Sequence, residues 1–275
     1  MPVRAFHAPY LREAVGSVRR QTDERWRLLV IAEPGCRVGV AETLAPDLDD
    51  GRIDVIVSEG RGLAGALNTG MRRCESEFAA ILLGDDLWAA NAVAVLGHHI
   101  AASPDVDFFH SARAIIDDGG NQISSVYAPV QHVAPADFLS WSPVKHLLCW
   151  RVSKALAIGG MDESLRSIVG PDDWDFPWSM AEHGATFAPI PDCLYFWRDH
   201  RQCFRLTTHA PLSVVTREMR RVMRKHGASK QDIRRRVRHD TAGHLRNCLY
   251  RSRFDQWFRR LTRSEPHAVW RATYR

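Results

Sequence analysis

The sequence lacks the features that mark membrane-spanning, disulfide-stapled and zinc-binding proteins. It has no run of about 18 or more apolar residues, the length a spanning helix needs, and no apolar signal core at its N-terminus. Its six cysteines are scattered without a Cys-x-x-Cys pair, which argues against structural zinc and a disulfide framework. No Gly-x-Ser-x-Gly segment is present, which argues against an α/β-hydrolase. We therefore expect reduced thiols and a cytoplasmic protein.

The composition is that of a folded protein. The chain has 275 residues, 45% of them hydrophobic, which is enough for a substantial core and fits one domain with an appendage. Internal repeats and low-complexity tracts are missing as well, so we do not expect a repeat array or a disordered chain.

The net charge of +5 hides a strong asymmetry between the two parts of the chain. Residues 211–275 carry 18 Lys and Arg against 5 Asp and Glu, a balance of +13. Of the totals of 37 and 32, this leaves 19 basic and 27 acidic residues before position 211, a balance of −8. Such a tail needs an electrostatic partner: a polyanion, an anionic membrane face, or the acidic body itself.

Short apolar runs alternate with helical patterns along the first part of the chain. The runs cover 27–32, 53–57, 78–84 and 106–110, and the helical patterns cover 11–20, 63–74 and 89–102. Strands that alternate with helices predict an α/β fold with a mostly parallel central sheet and helices on both faces. Residues 117–145 are rich in turn formers and predict a connection into a second half.

The apolar run that begins at Phe78 stops at two adjacent carboxylates, Asp85 and Asp86. Ligands of open α/β sheets bind at the carboxyl ends of strands. Two neighbouring carboxylates repel each other unless a cation or ligand hydroxyls compensate them. On this feature alone, an acidic turn after an ordinary strand and a binding site are equally good interpretations.

Five sequence blocks follow one another along the chain. They are Tyr10–Thr22, Gly62–Cys74, Phe78–Trp88, Gly159-Gly160-Met161-Asp162-Glu163 with Gly170-Pro171-Asp172-Asp173-Trp174, and Tyr195-Phe196-Trp197-Arg198-Asp199-His200. In this order the blocks resemble the family-two glycosyltransferases of the GT-A fold, over roughly residues 2–209. The resemblance implies a nucleotide-binding part at about 1–116 and an acceptor-binding part at about 117–210, followed after this domain of residues 1–210 by a basic helical extension at 211–275.

The resemblance implies a divalent metal, Mn²⁺ or Mg²⁺, at the central acidic motif. The family commonly has DxDD or the shorter xDD, and this chain has the shorter form, with Leu83 in the place of the first acid. By this comparison Asp86 is the metal ligand, and Asp85 contacts the ribose or shares the metal. His200 would complete the metal site, although a structural histidine is an equally good interpretation.

The same resemblance implies catalytic and binding roles elsewhere. Asp173 stands where the family has the general base of its inverting enzymes, with Asp172 and Trp174 on the acceptor side. The alternative for these acids is helix capping. Neighbouring carboxylates would raise the pKa of Asp173 and a helix N-terminus would lower it, and the sequence leaves that balance open. The donor-binding residues implied are Glu33, Asn68, Asp85 and Arg198.

The chain departs from the family pattern at two places besides Leu83. The family usually has an acidic pair after its second strand, whereas here the run at 27–32 ends at Ala32 and only Glu33 keeps an acid. Only the end of the family's first strand is present at Pro2 and Val3. We interpret this as a start codon placed too late or a missing strand. These departures keep a rival open: a catalytically weak relative that binds a nucleotide sugar or a partner enzyme.

The expected function is transfer of a sugar from a nucleotide-diphosphate donor to a glycan or lipid-linked acceptor, in the synthesis of cell-envelope polysaccharide. The tail predicts an amphipathic helix with an aromatic stripe, and we weigh docking on the catalytic body equally with peripheral binding to the inner face of the membrane. We expect no nucleic-acid partner. The stripe consists of Tyr250, Phe254, Trp257, Phe258 and Leu261.

Overall fold

The computed structural model describes residues 1–140, 142–165, 172–200 and 210–251. The chain forms two compact units. The first comprises Met1–Arg166 and Asp172–Asp199, and the second comprises Ser167–Pro171 and His200–Arg275.

The first unit contains eight strands and six α-helices within its described residues. The strands are β1 (Pro2–Val3), β2 (Leu28–Ala32), β3 (Ile53–Val57), β4 (Phe78–Ala80), β5 (Leu87–Trp88), β6 (Phe108–Ile116), β7 (Leu148–Arg151) and β8 (Phe187–Arg198). The helices are α1 (Ala8–Arg19), α2 (Arg37–Leu44), α3 (Gly62–Arg73), α4 (Ala92–Ala102), α5 (Val152–Ala157) and α6 (Asp172–Glu182), with 3₁₀ turns at Ala45–Asp47 and Pro135–Leu139.

Strands β1, β2 and β3 form a parallel sheet in that order. Strand β2 reads Leu-Leu-Val-Ile-Ala and is almost wholly buried, as expected of a strand covered on both faces. The predicted run at 53–57 is observed with the same bounds, and the run at 27–32 is observed from Leu28. The parallel arrangement predicted from alternating strand and helix patterns is therefore observed in this sheet.

The second sheet is mixed, with the strand order β4-β7-β6-β8-β5. Its β6–β8 pair is parallel, and its other pairs are antiparallel. The predicted run at 78–84 is a strand only over Phe78–Ala80, while the run at 106–110 continues to Ile116. The extension occurs because β8 is long enough to pair with all of β6. The predicted α/β class is thus confirmed, and this sheet contains three antiparallel strand pairs besides its one parallel pair.

Helices cover both faces of this second sheet. Phe108 and Phe109 are neighbours on β6 and lie in different apolar cores, because successive side chains of a strand point to opposite faces. One core contains residues of α1, α2 and α4, and the other contains residues of α3, α5 and α6. The helix α6, which carries the predicted base, is therefore fixed by its apolar residues against the second core.

The second unit contains the helices α7 (Leu212–Lys225) and α8 (Lys230–Arg251), which pack against each other. Helix α7 is amphipathic, with Val215, Met219 and Val222 buried while Arg220 and Arg224 are exposed. The predicted aromatic stripe lies outside the residues whose side chains are described. No helix in the described ranges is long and apolar enough to cross a membrane.

Candidate active site

The turn between β4 and β5 carries the two adjacent carboxylates, and Asp86 is the buried one. Asp86 is 1% exposed. Its Oδ2 accepts a hydrogen bond from the Tyr195 hydroxyl at 2.6 Å, and its Oδ1 accepts one from the Arg198 backbone N–H at 2.7 Å. Burial raises the pKa of Asp86 well above its usual range, and Asp85 raises it further.

The metal-ligand role that the resemblance implied for Asp86 stays a prediction. Asp86 has almost no accessible surface, and both of its carboxylate oxygens accept hydrogen bonds from the protein. Asp85 is only partly buried. Through its bonds to β8 Asp86 fastens the turn, and Asp85 is the carboxylate of the pair with more accessible surface.

Arg198 reinforces the same turn from the end of β8. Its side chain is fully buried. Nε donates to the Asp85 carbonyl at 2.9 Å, Nη1 donates to the Asp118 carbonyl at 3.0 Å, and Nη2 pairs with the Glu13 carboxylate. The guanidinium also lies 4.6 Å from the centre of the Tyr10 ring. The guanidinium is therefore buried and bonded to the protein, and the donor-binding role implied for Arg198 stays a prediction.

Asn68 also bonds to the protein where donor binding was expected. It is buried on α3. Its amide nitrogen donates to the Met161 carbonyl and to the Glu163 carboxylate, both at 2.9 Å, and its oxygen accepts from the Met161 N–H at 2.8 Å. These bonds use both donors of the amide. Asn68 therefore holds the segment around Met161 on α3, and its donor-binding role stays a prediction.

Glu33 lies directly after β2, and its side chain keeps accessible surface. Its side chain is 28% exposed, and its carboxylate lies 3.7 Å from Arg4 Nε. The position follows the strand-end rule for ligand sites in α/β sheets. Its donor-binding role stays a prediction.

The first turn of α6 contains three consecutive residues that differ in how deeply they are buried. Asp173 is exposed, whereas Asp172 and Trp174 are 5% and 4% exposed. Trp174 Nε1 donates to the Phe138 carbonyl at 2.9 Å, so its indole lies in the core, and its acceptor-side role stays a prediction. Ser142 Oγ donates to the Asp173 carbonyl at 3.1 Å, which ties the loop before β7 to this turn.

Both carboxylates of this turn have raised pKa values, for partly different reasons. Burial first, and then Asp173 and Asp175, raise the pKa of Asp172 to about 7. Asp173 is solvent-accessible, yet enough protein surrounds it for desolvation to raise its pKa, while Arg113 and Lys145 oppose the rise. An accessible carboxylate with a raised pKa is suited to accept a proton near neutral pH.

The described residues contain no cluster of three His, Cys, Asp or Glu side chains that could enclose a metal ion. His200 belongs to the second unit, and its metal role stays a prediction. Magnesium is commonly held by one or two carboxylates together with substrate phosphates. Asp85, partly exposed at the strand end, fits that mode of binding.

Arg113 and Lys145 are site residues that the sequence analysis missed. The positive charges of both residues lower the pKa of Asp173, and Arg113 also lowers the pKa of Asp86. The available signal was a single arginine inside the otherwise small and apolar run from Ala112 to Ile116 on β6. A charged residue within a buried strand indicates a partner or a function.

The family of this chain follows from a sequence comparison. The profile of the family described as Glycosyl transferase family 2 matches residues 3–152. The chain belongs to this family. A curated relative from Escherichia coli, UDP-Glc:alpha-D-GlcNAc-diphosphoundecaprenol beta-1,3-glucosyltransferase WfgD, is 34% identical over 79 residues. That match covers 28% of this chain and 30% of WfgD.

Solved structures support the GT-A fold. S. aureus TarS 1–349 in complex with UDP-GlcNAc has a TM-score of 0.62 at 14% identity, covering 92% of this chain and 73% of that chain. The mannosyltransferase PcManGT from Pyrobaculum calidifontis, in complex with GDP-Man and Mn²⁺, has a TM-score of 0.60 at 17% identity, covering 99% and 82%. This chain covers 44% of a longer TarS chain. The predicted fold and family are thereby confirmed.

We predict that Asp172→Asn stabilises the protein at alkaline pH. The pKa of Asp172 is about 7 in the folded protein and about 3.9 in an unfolded chain. The stabilisation from protonated Asp172 is therefore fully present below about pH 4 and is lost as the pH rises through about 7. Over this range the free energy of unfolding falls by at most about 1.4 kcal/mol per pH unit. Asparagine does not ionise, so the melting temperature of the variant should exceed that of the wild type by more at pH 8 than at pH 5.

The control is Asp105→Asn, which changes an exposed carboxylate. It should leave the pH dependence of the melting temperature unchanged. If the difference in melting temperature between Asp172→Asn and the wild type stayed constant from pH 5 to pH 8, this would contradict the raised pKa of Asp172.

Proposed function

We propose that this protein transfers a sugar from a nucleotide-diphosphate donor to a hydroxyl group of a glycan or lipid-linked acceptor, with inversion at the anomeric carbon. The observation that carries the proposal is Asp173: an accessible carboxylate of raised pKa at the start of α6, in a chain of glycosyltransferase family 2. The names of its relatives give further support, since WfgD uses UDP-Glc and the TarS and PcManGT structures contain UDP-GlcNAc and GDP-Man.

In the proposed reaction Asp173 takes the proton of the acceptor hydroxyl. The acceptor oxygen then forms a bond to the anomeric carbon on the face opposite the nucleotide, and the bond between that carbon and the diphosphate oxygen breaks. The electron pair of the broken bond leaves with the diphosphate. Asp173 ends protonated and returns its proton to solvent, so that charge and protons balance.

Asp85 is our choice for holding a divalent cation, Mn²⁺ or Mg²⁺, together with oxygens of the donor. A bound cation would supply neutralisation of the departing diphosphate. Glu33, at the end of β2, is our choice for a contact to the donor nucleotide. Asp86 and Arg198 hold the backbone around Asp85 through the hydrogen bonds described above.

The rival interpretation is a catalytically weak relative, favoured by Leu83 in the place of an acid. The experiment that separates the two is a thermal-shift panel of nucleoside diphosphates with and without Mn²⁺, followed by turnover of the sugar donor that matches the stabilising nucleotide. Stabilisation by ligands follows mass action and is readily measured at high excess. Nucleotide binding without turnover would favour the rival, and stabilisation by no nucleotide would contradict the proposed transfer and leave only the form of the rival that binds a partner enzyme.

We predict that Asp173→Asn lowers turnover by roughly two to four orders of magnitude, as for the loss of a general base, with nucleotide affinity retained. The measurement is kcat together with the Kd of the stabilising nucleotide. The control is Asp105→Asn, for which both values should stay at the wild-type level. Full turnover in Asp173→Asn would move the base role to another group.

We also propose that the basic second unit brings the enzyme to the inner, anionic face of the membrane, where a lipid-linked acceptor would lie. The support is the balance of +13 in residues 211–275 and the exposed arginines of α7. Basic residues near anionic lipid contribute about 1 kcal/mol each.

We predict that the full chain co-sediments with anionic vesicles at low salt, and that binding falls as salt screens the charges. Neutral vesicles serve as the control. If the full chain stayed in the supernatant with anionic vesicles at low salt, the proposed membrane binding would be wrong, and the tail would be a structural extension of the protein.

A further inference from the structure

Glu13 lies on α1, beside the face of that helix that packs in the core. Leu11, Ala14 and Val15 are completely buried, which fixes the rotation of the helix about its axis. The side chain of Glu13 is 49% exposed, and its carboxylate pairs with Nη2 of Arg198. A half-exposed acid on a fixed helix is therefore joined to a fully buried arginine at the end of β8.

Arg198 connects three separate segments of the chain. Its Nε donates to the Asp85 carbonyl in the turn after β4, and its Nη1 lies 3.4 and 3.0 Å from the carbonyls of Asp117 and Asp118, in the loop after β6. Its Nη2 pairs with Glu13 on α1. Because a guanidinium is planar and rigid, contacts at Nη1 and Nη2 determine where Nε points, and thus where it holds the turn.

Glu13 supplies the negative charge in direct contact with this guanidinium. The other hydrogen-bond partners of the Arg198 side chain within the described ranges are carbonyl groups. Asp117 acts on Arg198 from a greater distance, and its Oδ1 accepts hydrogen bonds from the N–H groups of Gly119 and Asn121, both at 2.9 Å. A buried charge that loses its contacting counter-ion is strongly destabilised in its position. The place of the guanidinium therefore depends on Glu13.

A second residue of α1 supports the same arrangement. The Tyr10 hydroxyl donates to Asp118 Oδ1 at 3.0 Å, and its ring lies 4.6 Å from the Arg198 guanidinium. Tyr10 and Glu13 are three positions apart, so they are neighbours on one face of the helix. One face of α1 thus contacts both the guanidinium and the loop that begins the predicted acceptor-binding part.

We propose that Glu13 is a positioning residue for the Asp85 carboxylate: through the Arg198 guanidinium, it holds the backbone of the turn in the conformation that binds the cation. This inference rests on the proposed function, in which Asp85 holds a divalent cation together with donor oxygens. Glu13 itself would not touch the substrate. Residues that hold a metal ligand in place typically change metal affinity about 10–100-fold when they are replaced.

The first experiment measures the Kd of the stabilising nucleoside diphosphate with and without Mn²⁺, for the full chain and for Glu13→Gln. Glutamine keeps the shape of the side chain and removes its charge. We expect the affinity with Mn²⁺ to fall about tenfold or more and the affinity without Mn²⁺ to stay unchanged. The control is Glu42→Gln, an exposed acid on α2, which should match the wild type. Equal changes with and without Mn²⁺, or no change, would overturn the inference.

A double-mutant cycle tests whether Glu13 acts through Asp85. If it does, Glu13→Gln should cause no further loss of Mn²⁺-dependent affinity in a protein that already carries Asp85→Ala, because the two changes then remove the same interaction. A further loss as large as that in the wild-type background would show that Glu13 acts on another group, and would overturn the inference.

Hydrogen exchange supplies a readout that needs neither metal nor substrate. In Glu13→Gln the amides of residues 83–88 should exchange faster than in the wild type, while those of β3 at 53–57 should keep their rate, because only the turn loses its support. A similar rise in both segments, no rise at 83–88, or a variant that does not fold would each overturn the inference. Glu13 would then stabilise the whole first unit or would not act on the turn.

Failure of this inference is distinguishable from failure of the proposed function. If the wild type binds the nucleotide without any Mn²⁺ dependence, the cation role of Asp85 is wrong, and exchange at 83–88 still tests whether Glu13 holds the turn. If the wild type shows the Mn²⁺ dependence and Glu13→Gln retains it in full, the proposed function stands and the positioning role of Glu13 is wrong.

Discussion

The candidate site depends on one buried carboxylate, Asp86, held between the Tyr195 hydroxyl and the Arg198 backbone N–H. A carboxylate at 1% exposure is stable only where donors replace the water it has lost. Both donors come from the end of β8, more than a hundred residues away in sequence. The pair of bonds therefore fixes the turn after β4 to the C-terminal end of β8, an interior strand of the second sheet.

The other site groups follow from this constraint. Because Asp86 is held inside, its neighbour Asp85 keeps accessible surface, and its carbonyl receives the Nε donor of Arg198. Asp173 at the start of α6 is also accessible, and the buried Asp172 beside it has a pKa raised to about 7. Adjacent carboxylates in different environments take different roles. Each of the two adjacent pairs in this site has one buried and one more accessible carboxylate. Asp86 and Asp172 are buried, whereas Asp85 and Asp173 keep accessible surface.

The sequence predicted those features that local pattern determines. The apolar runs located strands β2 and β3 closely, and the ordered blocks identified the family and the GT-A fold. The same patterns could not say which of two adjacent acids turns inward, because the partners of Asp86 lie on a distant strand. Arg198, Asn68 and Trp174 were assigned to ligands for the same reason: a polar residue in a family block can bind the substrate or hold the backbone. Arg113 and Lys145 were missed because only the pairing of β6 with β8 and the loop before β7 bring them together.

We propose that Asp86 holds the site together and that Asp85 is the carboxylate that binds the ligand. The most direct measurement compares Asp85→Ala with Asp86→Ala in two assays, urea unfolding and Mn²⁺-dependent binding of the stabilising nucleoside diphosphate. The account predicts that Asp86→Ala loses about 1–3 kcal/mol or more of unfolding free energy, because a buried N–H and a hydroxyl lose their acceptor. It predicts that Asp85→Ala keeps its stability to within about 0.5 kcal/mol and loses Mn²⁺-dependent affinity about tenfold or more. A stable Asp86→Ala protein that has lost the Mn²⁺ dependence, beside an Asp85→Ala protein that retains it, would contradict the account.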